Sequence, residues 1–294
     1  MKKVSKFVLV FVAIGFVFSF SIAMATPFPN PSQFQTAKPV PGLGFGDYMG
    51  SVTPDGKSMI FQRGAPHQLY SAEWDGNIWT NITHIDVGVG GYNGWPTLTL
   101  DGERLFFGSS GYVYQSHHEQ SGWSQAQLIP LDFGTYGNGG PFFDSMTSTL
   151  YFCKAVGYHL YDLWSVPYDP EQNILLGSPS PLPYPFNTDA TTDIDARIFD
   201  NGRVFLWASG LDGVGPRDIW MSTRESINDP WSTPIQMGDA VDGVLTSEYN
   251  PWYSAATGTL YFGRDNMIYQ SVPEPATLLL LGLGSLTLLR KRRL

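Results

Sequence analysis

Five polar residues recur at one spacing. Asp47, Asn93, Asn138, Thr192 and Glu248 each stand twelve positions before a short apolar run that carries an aromatic residue. Those runs begin at Met59, Leu105, Leu150, Val204 and Leu260. Brought together in space, such positions would form a polar ring that contacts a ligand such as a sugar. Trp95, Tyr249 and Trp252 would then supply aromatic faces. The same ring would equally serve to hydrogen-bond strand ends and water, because buried polar groups need partners. The fourth unit adds Asp193 and Asp195, where the others carry Gly50, Pro96, Pro141 and Pro251 nine positions before the run. Two carboxyls about 5 to 9.5 Å apart across a scissile bond hydrolyse glycosides. Asp47, Asp193, Asp195 and Glu248 therefore frame the alternative reading, an extracellular carbohydrate-active, glycoside hydrolase-like enzyme. The sequence around them does not resemble those hydrolases, and the expectation is a non-catalytic chain without cofactor.

Other chemistry is weaker. His117-His118 sits in a polar stretch, and tandem histidines on a strand point to opposite faces, so no metal site is expected. His67, His84 and His159 have no ligand spacing. Asp212-Gly213 and nearby Asp218 could bind calcium but read better as a turn. Cys153 is the one cysteine, which excludes an intramolecular disulfide. It lies in the strand-like Leu150-Tyr151-Phe152-Cys153 and reads as a buried, inert thiol. Phosphate loops, Gly-x-Ser-x-Gly, Cys-x-x-Cys and His-Glu-x-x-His are missing from the sequence.

The elements that must position these residues form a repeat. The five apolar runs start 46, 45, 54 and 56 residues apart, mostly behind turns such as Asp55-Gly56, Asp101-Gly102 and Asn201-Gly202. A third element places an aromatic near a serine, as in Tyr70-Ser71, Tyr114-Gln115-Ser116, Trp164-Ser165, Trp220-Met221-Ser222 and Tyr269-Gln270-Ser271. A fourth contains Trp79, Trp123 or Trp231, with Asn173-Ile174-Leu175-Leu176 in the third unit. Four short strands per unit at a period near 45 predict the blades of a five-bladed β-propeller, an all-β fold. A β-sandwich is the rival, and gives no reason for the repeat. The fifth unit lacks its outer strand. Phe34 to Val40 resembles Trp231 to Met237 and is predicted to close the ring from the N-terminal side. Two insertions, 167–190 with six prolines and 209–217, are loops where a partner would bind.

The repeat resembles the WD40-like, TolB-type (PD40) propeller repeat. The likeness rests on Thr53-Pro54-Asp55-Gly56-Lys57, on Leu100-Asp101-Gly102-Glu103, and on Asp218-Ile219-Trp220 followed by Trp231-Ser232. It covers about residues 34–271. The third and fifth units lack the Asp-Gly turn.

Both ends read as addresses. Met1 to Ala25 has a basic start (Lys2, Lys3, Lys6), an apolar stretch and Ala23-Met24-Ala25, so a signal peptide cleaved after Ala25 is predicted. An uncleaved anchor helix is the alternative. At the other end, Val272-Pro273-Glu274-Pro275 precedes apolar Ala276 to Leu289 and Arg290-Lys291-Arg292-Arg293. This closely resembles the PEP-CTERM sorting signal of exopolysaccharide-producing Gram-negative bacteria. The resemblance implies an exosortase-type membrane partner acting near Pro273, Glu274 and Pro275. The apolar segment would make about 21 Å of helix, short for a bilayer of about 30 Å, with the arginines able to snorkel. A plain C-terminal anchor is the other reading. The expected organisation is 1–25 signal peptide, 26–271 propeller and 272–294 sorting signal with a short transmembrane helix. The chain would be exported, tethered in the inner membrane as an intermediate, and then reach the cell surface or extracellular matrix, with extracellular polysaccharide as a partner. Without the basic residues of both ends and Glu274, 10 basic and 25 acidic residues remain, a net charge near −15. So acidic a body argues against nucleic-acid binding.

Overall fold

The computed structural model describes residues 28–131, 138–157, 160–187, 191–211, 216–243 and 245–274. The expected signal peptide, Pro275 and the apolar helix and basic tail lie outside the described residues, as do His159, Asp212 and Gly213. Among the described residues no helix is long and apolar enough to cross a membrane.

Five antiparallel sheets follow the repeat. A short strand, β1 (Lys38–Pro39), precedes blade one, which is β2 (Asp47–Val52), β3 (Ser58–Arg63), β4 (Gln68–Trp74) and β5 (Trp79–His84). Blade two is β6 (Asn93–Leu98), β7 (Arg104–Ser109) and β8 (Tyr112–Glu119), with β9 (Gly122–Trp123) and β10 (Gln127–Leu128) both on β8. Blade three is β11 (Asn138–Asp144), β12 (Thr149–Gly157) and β13 (Leu160–Asp169), with β14 (Ile174–Leu175) and β15 (Ser180–Pro181) both on β13. Blade four is β16 (Asp193–Phe199), β17 (Val204–Ser209), β18 (Asp218–Thr223) and β19 (Ile235–Gln236). Blade five is β20 (Glu248–Ser254), β21 (Thr259–Arg264) and β22 (Met267–Ser271), and β1 completes it by pairing β22. The first strands touch in a closed cycle, β2 to β6 to β11 to β16 to β20 and back to β2. The fold is a five-bladed β-propeller.

Each part of the repeat has a physical reason. Asp55 and Asp101 cap their turns, accepting the N–H of Lys57 and Glu103 at 3.0 Å, while Gly56 and Gly102 take φ of 74° and 79°. In blade three, Asp144 takes over, accepting the N–H of Met146 at 3.0 Å. Every second strand carries a buried aromatic ring facing an aromatic of the third strand. The pairs are Phe61 with Tyr70, Phe107 with Tyr114, Phe152 with Trp164, Trp207 with Trp220 and Phe262 with Tyr269. Each buried ring contributes roughly 1.5–3 kcal/mol. The serine of the third element also has a job. Ser116, Ser222 and Ser271 donate to the carbonyls of Ser124, Ser232 and Gln35, tying the third strand to the chain leading into the outer one.

The outer strands show how the ring closes. In all five blades one N–H of the outer segment donates to the same point of the third strand. Ile85 donates to Leu69 O, Ile129 to Val113 O, Leu182 to Leu163 O and Met237 to Ile219 O, at 2.8 to 3.0 Å. Val40 donates to Ile268 O at 2.9 Å, so the N-terminal segment is the outer strand of blade five. Lys38 and Pro39 stand where Ile235 and Gln236 stand in blade four.

Two details differ from the sequence reading. Blade four is registered one residue later than Val204 implies. Trp207, not Leu206, pairs with the aromatic of the third strand, so Phe205 is the equivalent of Met59. In blade three the outer strand proper is Ser180–Pro181, because Pro181 faces Trp164 as Gln236 faces Trp220. Ile174–Leu175 is an extra rung further along β13.

Candidate functional site

A β-bulge near the start of each first strand builds one end of the channel. The pairing shifts between Tyr48 and Ser51, Gly94 and Thr97, Gly139 and Phe142, Ile194 and Arg197, and Tyr249 and Trp252. The bulge residues Trp95, Gly140, Asp195 and Asn250 share a left-handed backbone, with φ of 51°, 57°, 62° and 51°. Neighbouring blades hold these strained turns. Trp95 N–H donates to Gln62 Oε1 at 3.2 Å, and Asn250 N–H donates to Asp195 Oδ2 at 3.0 Å.

The bulges also align the polar positions. Asp47, Asn93, Asn138, Asp193 and Glu248 each stand two residues before the bulge residue, so the fourth member is Asp193 and not Thr192. Three of them, Asp47, Asp193 and Glu248, turn to their own second strand. Asp47 is in an ion pair with Arg63, with one contact at 2.7 Å. Glu248 accepts from Arg264 Nε at 2.6 Å and from Thr246 Oγ1 at 2.6 Å. Asp193 accepts from Ser209 Oγ. Asn93 donates to Val89 O at 2.8 Å. Asn138 heads β11 opposite Lys154. Asp47, Asn93, Asp193 and Glu248 do not line the channel mouth. Thr192 does.

The mouth is formed largely by residues one place along. Tyr48, Ile194 and Tyr249 follow the polar positions and, because strand side chains alternate, turn to the other face, while Gly139 lines the mouth with backbone. With Tyr92, Trp95, Tyr161 and Arg217 they surround a cavity of about 540 Å³ that draws on all five blades. Tyr92 lies 5.4 Å from Trp95 and 4.8 Å from His67 between ring centroids, and Tyr48 hydrogen-bonds His67. Burial pushes the Tyr249 hydroxyl up to about 12, so it stays a neutral donor. Of the aromatics named from sequence, Trp95 and Tyr249 line the mouth. Trp252 is in the core, its indole N–H on Val52 O at 3.1 Å. Sequence reasoning missed Tyr48, Tyr92, Tyr161 and Arg217. The alternation of a strand starting at Asp47 would have found Tyr48, and Arg217 ends the insertion already marked as a binding loop.

No carboxylate lines this cavity among the described residues. Asp195 sits behind it, fully buried. Burial raises its pKa, opposed by the charges of Arg197 and Arg217. Cys153 borders the cavity and donates to Gly139 O at 2.9 Å. Burial pushes this thiol up to about 12, which leaves almost no reactive thiolate at neutral pH. His117 bonds Ser124 and Glu119 on the outer part of blade two, and His118 stacks edge-on with Trp123.

A second charged cluster lies where blades four and five meet. Asp218, Asp242 and Glu248, all buried, bring carboxylate oxygens within 4.8 Å of one another. The donor type suits a hard divalent cation. Arg264 already offsets part of the charge, bonding Glu248 and Val241 O. Asp242 accepts the N–H of Ile219 at 3.1 Å and of Gly238 at 2.9 Å. Burial, with the charges of Asp218 and Glu248, pushes its carboxyl up to about 8. The folded protein then binds a proton that the unfolded chain releases near pH 4. Stability from this group is full below that pH and is lost as pH rises through 8. Thermal melts from pH 6 to 9 are expected to show a falling melting temperature. Asp218→Asn, which removes one neighbouring charge, should flatten that fall.

The C-terminal end of the propeller runs into the motif read from sequence. Gln35 N–H donates to Val272 O at 2.9 Å, Pro273 bridges Phe34, and Glu274 N–H donates to Gln33 O at 2.7 Å. Residues 271–293 match the PEP-CTERM protein-sorting motif. The chain carries a PEP-CTERM sorting signal. This signal indicates an exported protein and implies processing by an exosortase. No curated protein matches the sequence. Among solved structures, the body is similar to a protein designated TolB from Agrobacterium tumefaciens, at 13% identity and TM-score 0.48, over 74% of this chain and 69% of that one. It is also similar to TolB from Acinetobacter baumannii, at 14% identity and TM-score 0.40, over 77% and 43%. An endo-arabinase from Bacteroides thetaiotaomicron aligns at 13% identity and TM-score 0.48, over 82% and 97%.

Proposed function

We propose that this chain is a non-catalytic, carbohydrate-binding propeller that its PEP-CTERM signal delivers to the cell surface or extracellular matrix, where it associates with exopolysaccharide. The observation that carries this reading is the mouth. Tyr48, Tyr92, Trp95, Tyr161 and Tyr249 surround a cavity drawn from all five blades, with no carboxylate among its described lining residues. Flat rings with polar edges suit the apolar faces and hydroxyl rims of sugars. Hydrolysis would need two carboxyls facing the bond. Asp47 and Glu248 are in ion pairs with arginines of their own blades, Asp193 is hydrogen-bonded to Ser209, and Asp195 is behind the wall.

The test is co-sedimentation of the purified protein with exopolysaccharide from its native host, with reducing ends measured in the same tubes. Binding without release of reducing ends is expected. Trp95→Asn, chosen because asparagine tolerates the left-handed backbone at this position, should weaken binding about tenfold. Release of reducing ends, or unchanged binding by that variant, would overturn the proposal.

A further inference from the structure

We infer that the mouth is selective for acidic sugars, with Arg217 binding the carboxylate of a uronate residue held between the aromatic rings. This rests on the reading of the mouth as a carbohydrate site. Its warrant is how the cations are used. Among the described residues, Arg63, Arg104, Arg203 and Arg264 are all in ion pairs. Arg197 and Arg224 donate to amide or carbonyl oxygens. The Arg217 guanidinium has no hydrogen-bond or ion-pair partner among them, and its Nε is closed off from solvent without an acceptor. A guanidinium partly out of water and unpaired is costly, and an arriving carboxylate would supply acceptors to the terminal nitrogens, which are not closed off.

The surroundings fit that occupant. Arg217 lines the cavity with Trp95, Tyr161 and Tyr249 and has no carboxylate beside it there. Its backbone is fixed, since its carbonyl accepts the N–H of Glu248 at 2.9 Å across the blade boundary. Asp195 is near enough to feel its charge, but Arg197 is the stronger influence on that carboxyl. The acidic body repels anions at a distance. An acidic sugar must therefore be caught at short range by one local cation. A single carboxylate meets less of that repulsion than a phosphate dianion.

The experiment follows tryptophan fluorescence and calorimetry as trimers of galacturonate, glucuronate and mannuronate are added, each beside its carboxyl methyl ester. These probes keep the sugar and remove the charge. At least one acid form should bind the wild type about tenfold or more tighter than its ester. Arg217→Gln should bring the two forms together, with thermal melting unchanged. Trp95→Asn should weaken both. Equal binding of acid and ester to the wild type, or an acid preference that survives Arg217→Gln, would overturn acidic selectivity and leave the sugar site standing. Failure of every acid and ester to bind would overturn both.

Discussion

A chain beginning at Pro41 is expected to lose its cooperative fold and to aggregate. The missing segment contributes Phe34 and Val40, both almost fully buried. Burial of two such side chains is worth roughly 1.5–3 kcal/mol each. The bonds from Gln35 N–H to Val272 O and from Val40 N–H to Ile268 O are lost as well, at about 0.5–1.5 kcal/mol each. The total reaches about 5 kcal/mol, the lower end of what an entire domain has to spare. The exposed rim of β22 then becomes a template for other chains. Circular dichroism melting and size exclusion, beside a chain that keeps residues 28–40, measure both effects. Adding the 28–40 peptide should slow the aggregation, because it can pair with the vacant edge. A shortened chain that melts as the longer one does would show that the ring closes without this strand.

Replacing Arg197 by methionine should cost about 3–5 kcal/mol, the usual result of removing one charge from a buried set. Arg197 is fully enclosed. It donates to Asn250 Oδ1 and Ala196 O, both at 2.8 Å, and its guanidinium lies 5.8 Å from the Phe142 ring centre. Burial lowers its pKa to about 10, so it is charged at pH 7 and offsets Asp195. With methionine there, the Asp195 carboxyl stays buried without the cation that balances it, and the Asn250 amide oxygen loses its donor. Asp195→Asn in the same chain removes that carboxyl and suits the left-handed backbone at 195. The double variant should therefore be more stable than the sum of the single effects predicts. Denaturant unfolding of the four proteins reads the coupling. Strict additivity would mean that the two side chains do not act on each other.

The parts of this molecule that repeat were readable from the residues. Five blades, the borrowed outer strand and the C-terminal signal all leave patterns, because each blade solves the same packing problem with the same residue types. The register of blade four was not readable. Val204-Phe205-Leu206 has the hydrophobic profile of the other runs, while Phe205-Leu206-Trp207 is the segment in the equivalent place. Nothing in composition distinguishes the two until Trp207 is seen facing Trp220. The orientation of the polar ring was hidden for a different reason. Asp47, Asp193 and Glu248 each meet a polar partner on their own second strand, and Arg63 and Arg264 are visible in the sequence as two of those partners. The cluster of Asp218, Asp242 and Glu248 left no spacing signal, since a strand, a loop and the next blade each supply one member.

The seam sets an order of events in time. The Ser271 to Gln35 hydrogen bond joins residues 236 apart in sequence. Closing a loop of that length has a large entropic cost, which grows only slowly with length. No contact of the seam can form before the last blade exists. A chain exported with its N-terminus leading therefore carries residues 34–40 unpaired while the other four blades assemble. In such a chain the seam joins the first residues out to the last, at the point where Pro273 and Glu274 lie against Phe34 and Gln33. An unfinished ring lacks this docking, so completion of the fold and the docking of the first residues of the sorting motif are one event.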